Sequence, residues 1–598
     1  MHLHLQGKER KHKMKVLLTG NEAIARGAYE AGCHVAVGYP GTPSTEILEN
    51  TAKFPVIHSQ WCTNEKVAAE MAGGVSAGGG RVIVTMKVVG LNVAMDPLMT
   101  MSYLGVHGGV IFVVADDPGC NSSQTEQDNR LLAGFAKIPL LEPSDSQECK
   151  DFIRAGFEIS EQFDVPVMVR MTTRVCHSKS LVEQGERTEI PVTPYVRTQK
   201  YCSNPAKARA SHARLEAMLP QLEEYSNHSP LNRIEWGSRD IGIVTSGASY
   251  QHAKEVFGDT ASYLKVGLSN RPPIAMIRSF AAQVKTLYVI EENEPWLENH
   301  MRLAGIACIG KDKLPRLYDL TPQILHEKLL GQVPEPAYSP DIELPPRPAV
   351  LCAGCPHRSM FYAVSRQKDA VAANDIGCYT LGMVPPLGVT DTIFCMGAGI
   401  SAGLGMDRIF RLSGQKKKVF GFIGDSTFFH SGITGLVDAV WNQSDIAVCI
   451  LDNRTTAMTG HQDNPGTGRT LMGQEVPQLD IASIVRAVGV PEDHLRIVNA
   501  YDMAAVEAAV RDAAASSGVF VIISTQPCAL EKKNAKARRG MRCKIDPARC
   551  RTCRACMKIG CPAVIFKDGV VSIDADTCNG CTMCCQMCKF GAIEKEGM

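Results

Sequence analysis

The sequence predicts an α/β protein in which two large parallel-sheet domains flank a smaller α/β domain and precede a cysteine-rich module. Short β-rich runs such as RVIVTM, KKVFGFIGDS and SDIAVCILDN alternate with helical stretches, as in parallel sheets with crossover helices. At 598 residues the chain is too long for one hydrophobic core, and its 52 glycines suit many tight strand-to-helix turns. Eight of its 23 cysteines form two regular arrays near the end.

Changes in composition divide the chain into five segments. A first α/β domain is expected at 15–180, and a linker rich in proline, charge and polar residues at 181–238, with one short helical patch, ARLEAMLPQLEEY. A small α/β domain is expected at 239–345 and a second large one at 346–530, each with β-rich runs separated by helical segments. The cysteine-rich module is expected at 540–598.

The overall charge excludes two classes of partner. With 63 Lys+Arg against 62 Asp+Glu, the net charge of +1 gives no general attraction to nucleic acid or to an anionic membrane surface. No segment approaches the ~20 uncharged apolar residues of a membrane span. We therefore expect a cytoplasmic protein, in which cysteines are better explained by metal ligation than by disulfides.

The C-terminal cysteines form two triplets, each with a distant fourth member. This spacing is typical of a double-cubane ferredoxin, in which each array lends its fourth cysteine to the other cluster. One [4Fe-4S] cluster is expected on Cys550, Cys553, Cys556 and Cys588, and the other on Cys578, Cys581, Cys584 and Cys561. Zinc knuckles or disulfides are the alternatives, although zinc usually takes its ligands as two pairs. Lys589 replaces an expected proline, and Cys585 is surplus.

A second motif lies at the ends of two β-rich runs of the 346–530 segment. One run ends in Gly424-Asp425-Ser426 and the next in Asp452-Asn453, which resembles the thiamine diphosphate (TPP) motif despite Ser426 and Asp452. The match implies that the Asp425 and Asn453 side chains and the Thr455 backbone oxygen bind Mg²⁺. The alternative is a surface turn, but Gly397-Ala398-Gly399 supplies a small-residue turn suited to close cofactor approach.

TPP also requires a carboxylate at N1′ of its aminopyrimidine ring, and in similar proteins that acid lies on a separate α/β domain. Glu65, at the start of NEKVAAEMAGGVSAG, matches its position, although an acidic residue at a helix N-terminus is favoured in any case. Thr42 in YPGTPST matches a threonine near substrate and cofactor in related enzymes. A threonine before proline is also a good helix N-cap.

A third group of cysteines is scattered along the sequence but falls beside strand ends of the 346–530 segment. The chain resembles the 2-oxoacid:ferredoxin oxidoreductases, which place a cluster-ligating cysteine at each of these four points. The resemblance implies a third [4Fe-4S] cluster near TPP on Cys352, Cys355, Cys378 and Cys528. The alternative is a set of buried free thiols or a structural pair.

Four local signatures, YPGTPSTEI, CPHR, DIGCYTLG and LDNRTTAMTGHQ, complete a resemblance that covers nearly the whole chain. The chain resembles the α subunits of the indolepyruvate-type 2-oxoacid:ferredoxin oxidoreductases. The resemblance implies a pyrimidine-binding TPP domain at 15–180, a transketolase C-terminal-like domain at 239–345, a diphosphate-binding TPP domain at 346–530 and a 2[4Fe-4S] ferredoxin-like domain at 540–598.

The same resemblance implies oxidative decarboxylation of aryl 2-oxoacids, such as indolepyruvate and phenylpyruvate, to aryl-acetyl-CoA, with coenzyme A as acyl acceptor and ferredoxin as electron acceptor. It also implies a smaller β subunit and a dimer of heterodimers. Pyruvate or 2-oxoglutarate as substrate, a non-redox TPP decarboxylase and a purely electron-carrying subunit remain alternatives. The last two each leave half of the motifs unexplained.

Overall fold

The computed structural model describes residues 14–333, 335, 341–345 and 348–596 and divides the chain into two compact units, Met1–Pro340 and Asp341–Met598. The predicted domain edges at residues 346 and 598 lie outside the described residues. Within the described part, no helix combines the length and the apolar character that crossing a bilayer requires.

The first unit contains a large sheet, a small sheet and a two-stranded ribbon. Its strands are β1 Lys15–Thr19, β2 Val35–Gly38, β3 His58–Trp61, β4 Val82–Lys87, β5 Val110–Asp116, β6 Leu140–Leu141, β7 Val167–Thr172, β8 Lys179–Glu183, β9 Arg233–Glu235, β10 Ile241–Thr245, β11 Ser262–Lys265, β12 Leu268–Asn270 and β13 Thr286–Ile290. Its helices are α1 Gly20–Glu30, α2 Thr45–Thr51, α3 Glu65–Ala77, α4 Gly90–Leu104, α5 Asn129–Ala136, α6 Ser146–Phe163, α7 Thr173–His177, α8 Pro205–His228, α9 Gly247–Phe257, α10 Ile274–Ala281, α11 Trp296–Leu303 and α12 Pro322–Leu325.

The large sheet has the strand order β12-β6-β7-β5-β4-β2-β3, and its pairs are parallel except for the antiparallel pair β12–β6. Every residue of β5 is buried, as expected for a parallel strand covered on both faces. The small sheet has the order β13-β10-β11-β9, with β9 antiparallel at its edge. Strand β12 therefore extends the large sheet with residues from the segment predicted as the small domain.

The segment predicted as a linker contains a much longer helix than expected. Helix α8 has 24 residues, begins after the N-cap Asn204 and continues through Pro220. Leu215, Met218 and Leu219 are buried in one apolar cluster with Val165. The predicted short patch is the buried part of this helix; its remaining turns are largely exposed and polar, so hydrophobic periodicity could not indicate them.

The second unit contains a six-stranded sheet and two short ribbons. Its strands are β14 Ala370–Asn374, β15 Thr392–Ile393, β16 Lys418–Gly424, β17 Ile446–Asp452, β18 Leu495–Asn499, β19 Phe520–Thr525, β20 Arg542–Ile545, β21 Val564–Lys567, β22 Val570–Ile573 and β23 Ile593–Glu596. Its helices are α13 His357–Ser365, α14 Ala398–Leu412, α15 Asp425–Thr427, α16 Ile433–Trp441, α17 Ile481–Val488, α18 Met503–Ala515, α19 Lys532–Ala537 and α20 Met583–Gln586.

All neighbouring strands of the six-stranded sheet, in the order β15-β14-β16-β17-β19-β18, are parallel. The loops after β14, β16, β17 and β19 therefore leave the same edge of the sheet, where open α/β folds bind ligands. Beyond this sheet, β20 pairs with β23 and β21 with β22, both antiparallel, around the C-terminal cysteine loops. The prediction of an α/β fold with parallel sheets is confirmed.

Candidate functional site

The three predicted Mg²⁺ ligands converge at the edge of the six-stranded sheet. Asp425 follows β16 directly, and Asn453 follows β17. With its amide nitrogen facing them, Asn453 donates to Asp425 Oδ1 at 3.0 Å and to the Thr455 carbonyl oxygen at 2.7 Å. If the Asn453 amide oxygen faces the same point instead, it lies beside the Asp425 carboxylate oxygen and the Thr455 carbonyl oxygen. These three oxygen atoms are the kind of donors that Mg²⁺ prefers. The chemistry of these residues fits the predicted ion.

The surroundings of Asp425 also suit a cation. The residue is buried, and Asn464 donates to its Oδ2 at 2.9 Å. Burial, followed by the nearby Asp452 carboxylate, raises the pKa of Asp425 to about 7. Without a cation, two acidic side chains would repel each other in a poorly hydrated place, and a bound divalent ion removes that cost. The Ser426 hydroxyl accepts a hydrogen bond from Thr456 at 2.9 Å and lies beside this site.

The small-residue turn opens α14 as expected. Gly397 has φ +88°, and a side chain there would meet Ser431 Oγ at 2.2 Å. Its N–H donates to Asp375 at 2.9 Å. At Gly424 an added Cβ would lie 2.6 Å from the Tyr379 ring. Both glycines are thus required by close packing at the edge where a diphosphate would approach.

The four scattered cysteines lie near one another in the second unit. Burial, followed by the neighbouring Cys528 and Cys352 thiols, raises the pKa of Cys378 to about 11. Burial also raises the pKa of Cys355, and its thiol is close enough to Cys378 and Cys352 for both to act on it. Four thiols brought together from three loops form a donor set suited to a [4Fe-4S] cluster.

The cysteine group touches the metal site through the backbone. The Cys528 N–H donates to the Asn453 carbonyl oxygen at 2.9 Å. The Cys528 thiol lies 3.6 Å from His461 Nε2. A predicted cluster ligand and a predicted Mg²⁺ ligand are therefore held in direct contact.

The C-terminal cysteines separate into the two groups expected from their spacing. Burial raises the pKa of the Cys556 thiol, and the neighbouring thiols of Cys588, Cys553 and Cys550 raise it further. The other four, Cys561, Cys578, Cys581 and Cys584, line a small cavity together with Cys543, which was not predicted as a ligand. The Ala592 N–H donates to Cys588 Sγ at 3.3 Å, the kind of bond that stabilises cluster thiolates. Both groups offer four sulfur atoms in one place.

In the first unit, Glu65 begins α3, behind the N-cap Asn64, and is buried. Its carboxylate lies against the start of α4, where a Cβ on Gly90 would be 2.7 Å from Glu65 Oε1. Burial lowers the pKa of the Lys87 amine, and the carboxylates of Asp117 and Glu65 partly oppose this shift. Lys87 is a functional candidate that no sequence motif indicated.

Thr42 does not cap a helix. It lies in the turn before α2, which begins at Thr45 behind Ser44. The Ser122 hydroxyl donates to the Thr42 carbonyl oxygen at 3.3 Å, and Lys87 donates to the Ser122 carbonyl oxygen at 2.9 Å. Thr42 and Glu65 are thus both neighbours of the Lys87 region.

Two family models match the chain. Residues 26–229 match the model described as pyruvate flavodoxin/ferredoxin oxidoreductase, thiamine diP-binding. Residues 375–524 match the thiamine pyrophosphate enzyme, C-terminal TPP binding domain. The second match begins at Asp375, which accepts the Gly397 N–H, and includes Asp425 and Asn453. Both large α/β regions are therefore TPP-type domains.

Curated relatives extend the likeness over the whole chain. "Indolepyruvate oxidoreductase subunit IorA" of Methanothermobacter thermautotrophicus is 38% identical, covering 98% of each chain. The proteins of the same name from Archaeoglobus fulgidus and Pyrococcus horikoshii are 39% and 38% identical, each over 97% of both chains. The chain belongs to the IorA family. As an IorA protein it is an oxidoreductase of the TPP-dependent 2-oxoacid:ferredoxin oxidoreductase group.

Two features of this IorA chain besides Lys87 were not predicted from the sequence. The Cys543 thiol lies 3.5 Å from that of Cys585, and these two and Cys584 are all within 4.8 Å of one another. Cys543 reaches them because β20 pairs with β23, a contact that no local spacing indicates. The second feature is Arg358, the arginine of the CPHR signature. It is buried and donates hydrogen bonds to the carbonyl oxygens of Cys352 and Gly560, which lie in two different cysteine-containing loops.

Proposed function

We propose that this chain catalyses the oxidative decarboxylation of aryl 2-oxoacids, of the indolepyruvate and phenylpyruvate type, with TPP and Mg²⁺. Coenzyme A accepts the acyl group, and ferredoxin accepts the electrons. One observation carries the proposal: the hydrogen bond from Cys528 to Asn453, which joins a sulfur ligand set to a diphosphate-type metal site. Decarboxylation and electron removal then occur beside each other.

The chain's own residues divide the work on the cofactor. TPP supplies the carbanion chemistry that releases CO₂ from a 2-oxoacid. Asp425, Asn453 and the Thr455 carbonyl oxygen hold the Mg²⁺ that binds the diphosphate. Glu65 holds and moves a proton at N1′ of the aminopyrimidine, and its burial keeps water from that exchange. Thr42 lies on the substrate side.

Electrons leave one at a time through three [4Fe-4S] clusters. A cluster held by Cys352, Cys355, Cys378 and Cys528 would receive them first, because among the three sets in the described part of the chain this one contacts the metal site. The two C-terminal sets, in a ferredoxin-like module at 540–598, pass them to ferredoxin. Support comes from the thiols that act on one another within each set and from the cavity lined by the four cysteines of the second C-terminal set.

The relatives' printed name calls each of them a subunit. We infer a smaller β subunit as the obligatory partner of this chain. Because TPP sites commonly combine domains of two chains, we also infer a dimer of heterodimers. Size measurement of the co-purified complex tests both statements.

The deciding experiment is an anaerobic assay of the chain co-purified with its small partner. Viologen reduction is followed with coenzyme A and indolepyruvate, phenylpyruvate, pyruvate or 2-oxoglutarate. We expect CoA-dependent reduction with the two aryl acids. Reduction with only pyruvate or 2-oxoglutarate would show that the proposed aryl substrates are wrong, whereas the proposed mechanism would stand. Decarboxylation without viologen reduction would identify a non-redox TPP decarboxylase, and no reaction at all would favour an electron-carrying subunit.

Iron analysis and EPR spectra test the cluster assignment independently of turnover. Three clusters of four irons give about twelve irons per chain. About eight irons would remove the Cys352, Cys355, Cys378 and Cys528 cluster, and the presence of zinc instead would favour knuckles at the C-terminus.

A further inference from the structure

Arg358 is a buried arginine whose hydrogen bonds all go to backbone carbonyl oxygens. Only 2% of it is exposed. On one side its Nε and Nη2 donate to the Cys352 carbonyl oxygen at 3.1 and 3.0 Å, and Nη2 also donates to Leu351. On the other side its Nη1 donates to the carbonyl oxygens of Gly560 at 2.6 Å and Ile559 at 3.2 Å. One guanidinium therefore joins two loops about 200 residues apart in sequence.

The charge of Arg358 has no carboxylate partner. Within the described residues, no acidic side chain forms an ion pair with it; burial lowers its pKa, and the thiols of Cys355, Cys561, Cys352 and Cys581 oppose that shift, whereas the neighbouring His357 is a cationic rather than an anionic group when charged. A buried, unpaired charge costs several kcal/mol by the usual order of magnitude. Its compensating negative charge must come from those sulfur atoms.

These four cysteines belong to two different sets. Cys352 and Cys355 belong to the set beside the metal site, and Cys561 and Cys581 to the second C-terminal set. Other polar contacts join the same two regions. Tyr501 donates to the Gly354 carbonyl oxygen at 2.7 Å and accepts, through its own carbonyl oxygen, a hydrogen bond from Gln586 at 2.8 Å. The two sets are fixed neighbours, and Arg358 lies between them.

We propose that Arg358 is a positioning residue for electron transfer between these two sets. Its five N–H groups hold the cysteine loops at a fixed separation, and its permanent charge stabilises the more negative, reduced state of the cluster on either side. In each step the cluster beside the metal site loses one electron and the second C-terminal cluster gains it, while the guanidinium keeps its protons. The inference rests on the proposed function, because it takes the two clusters as given.

The test compares Arg358→Gln, which removes the charge, with Arg358→Lys, which keeps it. Arg366→Gln, at the exposed end of the same helix, is the matched control. Each variant of the full complex is titrated potentiometrically and followed by EPR. We expect Arg358→Gln to make reduction of both adjacent clusters about tenfold less favourable, which is 59 mV for a one-electron couple. The cluster on Cys550, Cys553, Cys556 and Cys588 should not shift.

Arg358→Lys is expected to stay within about a third of the Gln shift, and Arg366→Gln at the wild-type potentials. Unchanged potentials in an iron-replete Arg358→Gln protein would overturn the proposal, and so would equal shifts in the Lys and Gln variants. If Arg358→Gln does not retain its iron, the Lys variant decides: near-native potentials support the proposal, and a large downward shift refutes it. A wild-type chain without clusters would refute the proposed function instead, so the two failures are distinguishable.

Discussion

Buried arginines have different hydrogen-bond partners in the two units: they include carboxylates in the first unit and are all backbone carbonyl oxygens in the second. In the first unit, Arg130 is 1% exposed and pairs with Asp128 at 2.5 Å and Glu291 at 2.6 Å. Arg170 pairs there with Asp116 at 2.6 Å and Glu142 at 2.9 Å. In the second unit, Arg358 is almost as deeply buried, yet its described neighbours are carbonyl oxygens and thiols.

The difference is between arginines whose charges are balanced by carboxylates and one arginine that we propose to act beside a redox group. Burial alone would raise the pKa of Asp128, but Arg130 and Arg170 lower it to about 2, so carboxylates of the protein itself balance these two guanidinium charges. For Arg358 we propose that its sulfur neighbours balance the guanidinium charge when they are cluster ligands. The predictions below test this contrast, beginning with the largest expected effect.

Cys528→Ser should remove one whole cluster. We expect a loss of about four of about twelve irons and of all ferredoxin-linked turnover, because the first electron acceptor is gone. Iron analysis and EPR provide the measurement, and Cys202→Ser, an exposed cysteine of the first unit, is the control. A full iron count in the variant would contradict the cluster on Cys352, Cys355, Cys378 and Cys528. Cys352 and Cys355 would then not supply cluster charge beside Arg358.

Glu65→Gln should abolish catalysis without disturbing the charge networks of either unit. Removing a proton-transfer group costs about 10²- to 10⁴-fold in turnover. Viologen reduction measures the loss, while iron content and the unfolding temperature should stay at the wild-type values. Glu70→Gln, on the exposed side of the same helix and paired with Lys66, should keep full activity. Unchanged turnover of Glu65→Gln would remove this residue from the mechanism.

Arg130→Met should damage the fold and leave the clusters alone. The substitution leaves Glu291 without its arginine partner and Asp128 with only the more distant Arg170, at 3.7 Å, and breaking a buried ion pair costs about 3–5 kcal/mol. Thermal unfolding measures it, with Lys285→Met as the control because the Lys285–Asp240 pair is exposed and should contribute nothing measurable. A large loss of iron in Arg130→Met, at a temperature where the chain is folded, would contradict the division of roles.

Cys585→Ala should have the smallest effect. Its thiol touches Cys543, but the spacing assigns Cys584 rather than Cys585 to the second C-terminal set. We expect a full complement of iron and unshifted EPR signals, whereas Cys584→Ala should lose about four irons. Loss of iron in Cys585→Ala would exchange the roles of these two neighbours.

Local patterns sufficed to predict what depends on a few consecutive residues. Strand ends placed Asp425 and Asn453 at one sheet edge because parallel strands share that edge, and cysteine spacing divided the C-terminal thiols into two groups. The roles of these residues remain predictions.

Features that depend on distant pairing were out of reach. Cys543 joins the C-terminal cysteines through the β20–β23 pair, whose partners are about 50 residues apart. In the sequence Arg358 is indistinguishable from an exposed arginine. It is buried because two loops that are distant in sequence pack against it. Strand β12 joins the large sheet although its sequence neighbours belong to the small one. Periodicity carries no signal for such contacts, because each depends on where another segment lies.

The hydrogen bond between the Cys528 N–H and the Asn453 carbonyl oxygen links two loading reactions. If Cys528 is a cluster ligand, as we propose, a ligand that stabilises the Asn453 loop should also stabilise the Cys528 loop, and by thermodynamic reciprocity iron bound at Cys528 should stabilise the Asn453 loop. We therefore expect the supply of thiamine and the supply of iron to be linked for this enzyme: chains that mature without thiamine diphosphate should assemble the cluster at Cys528 less completely and lose it sooner in air.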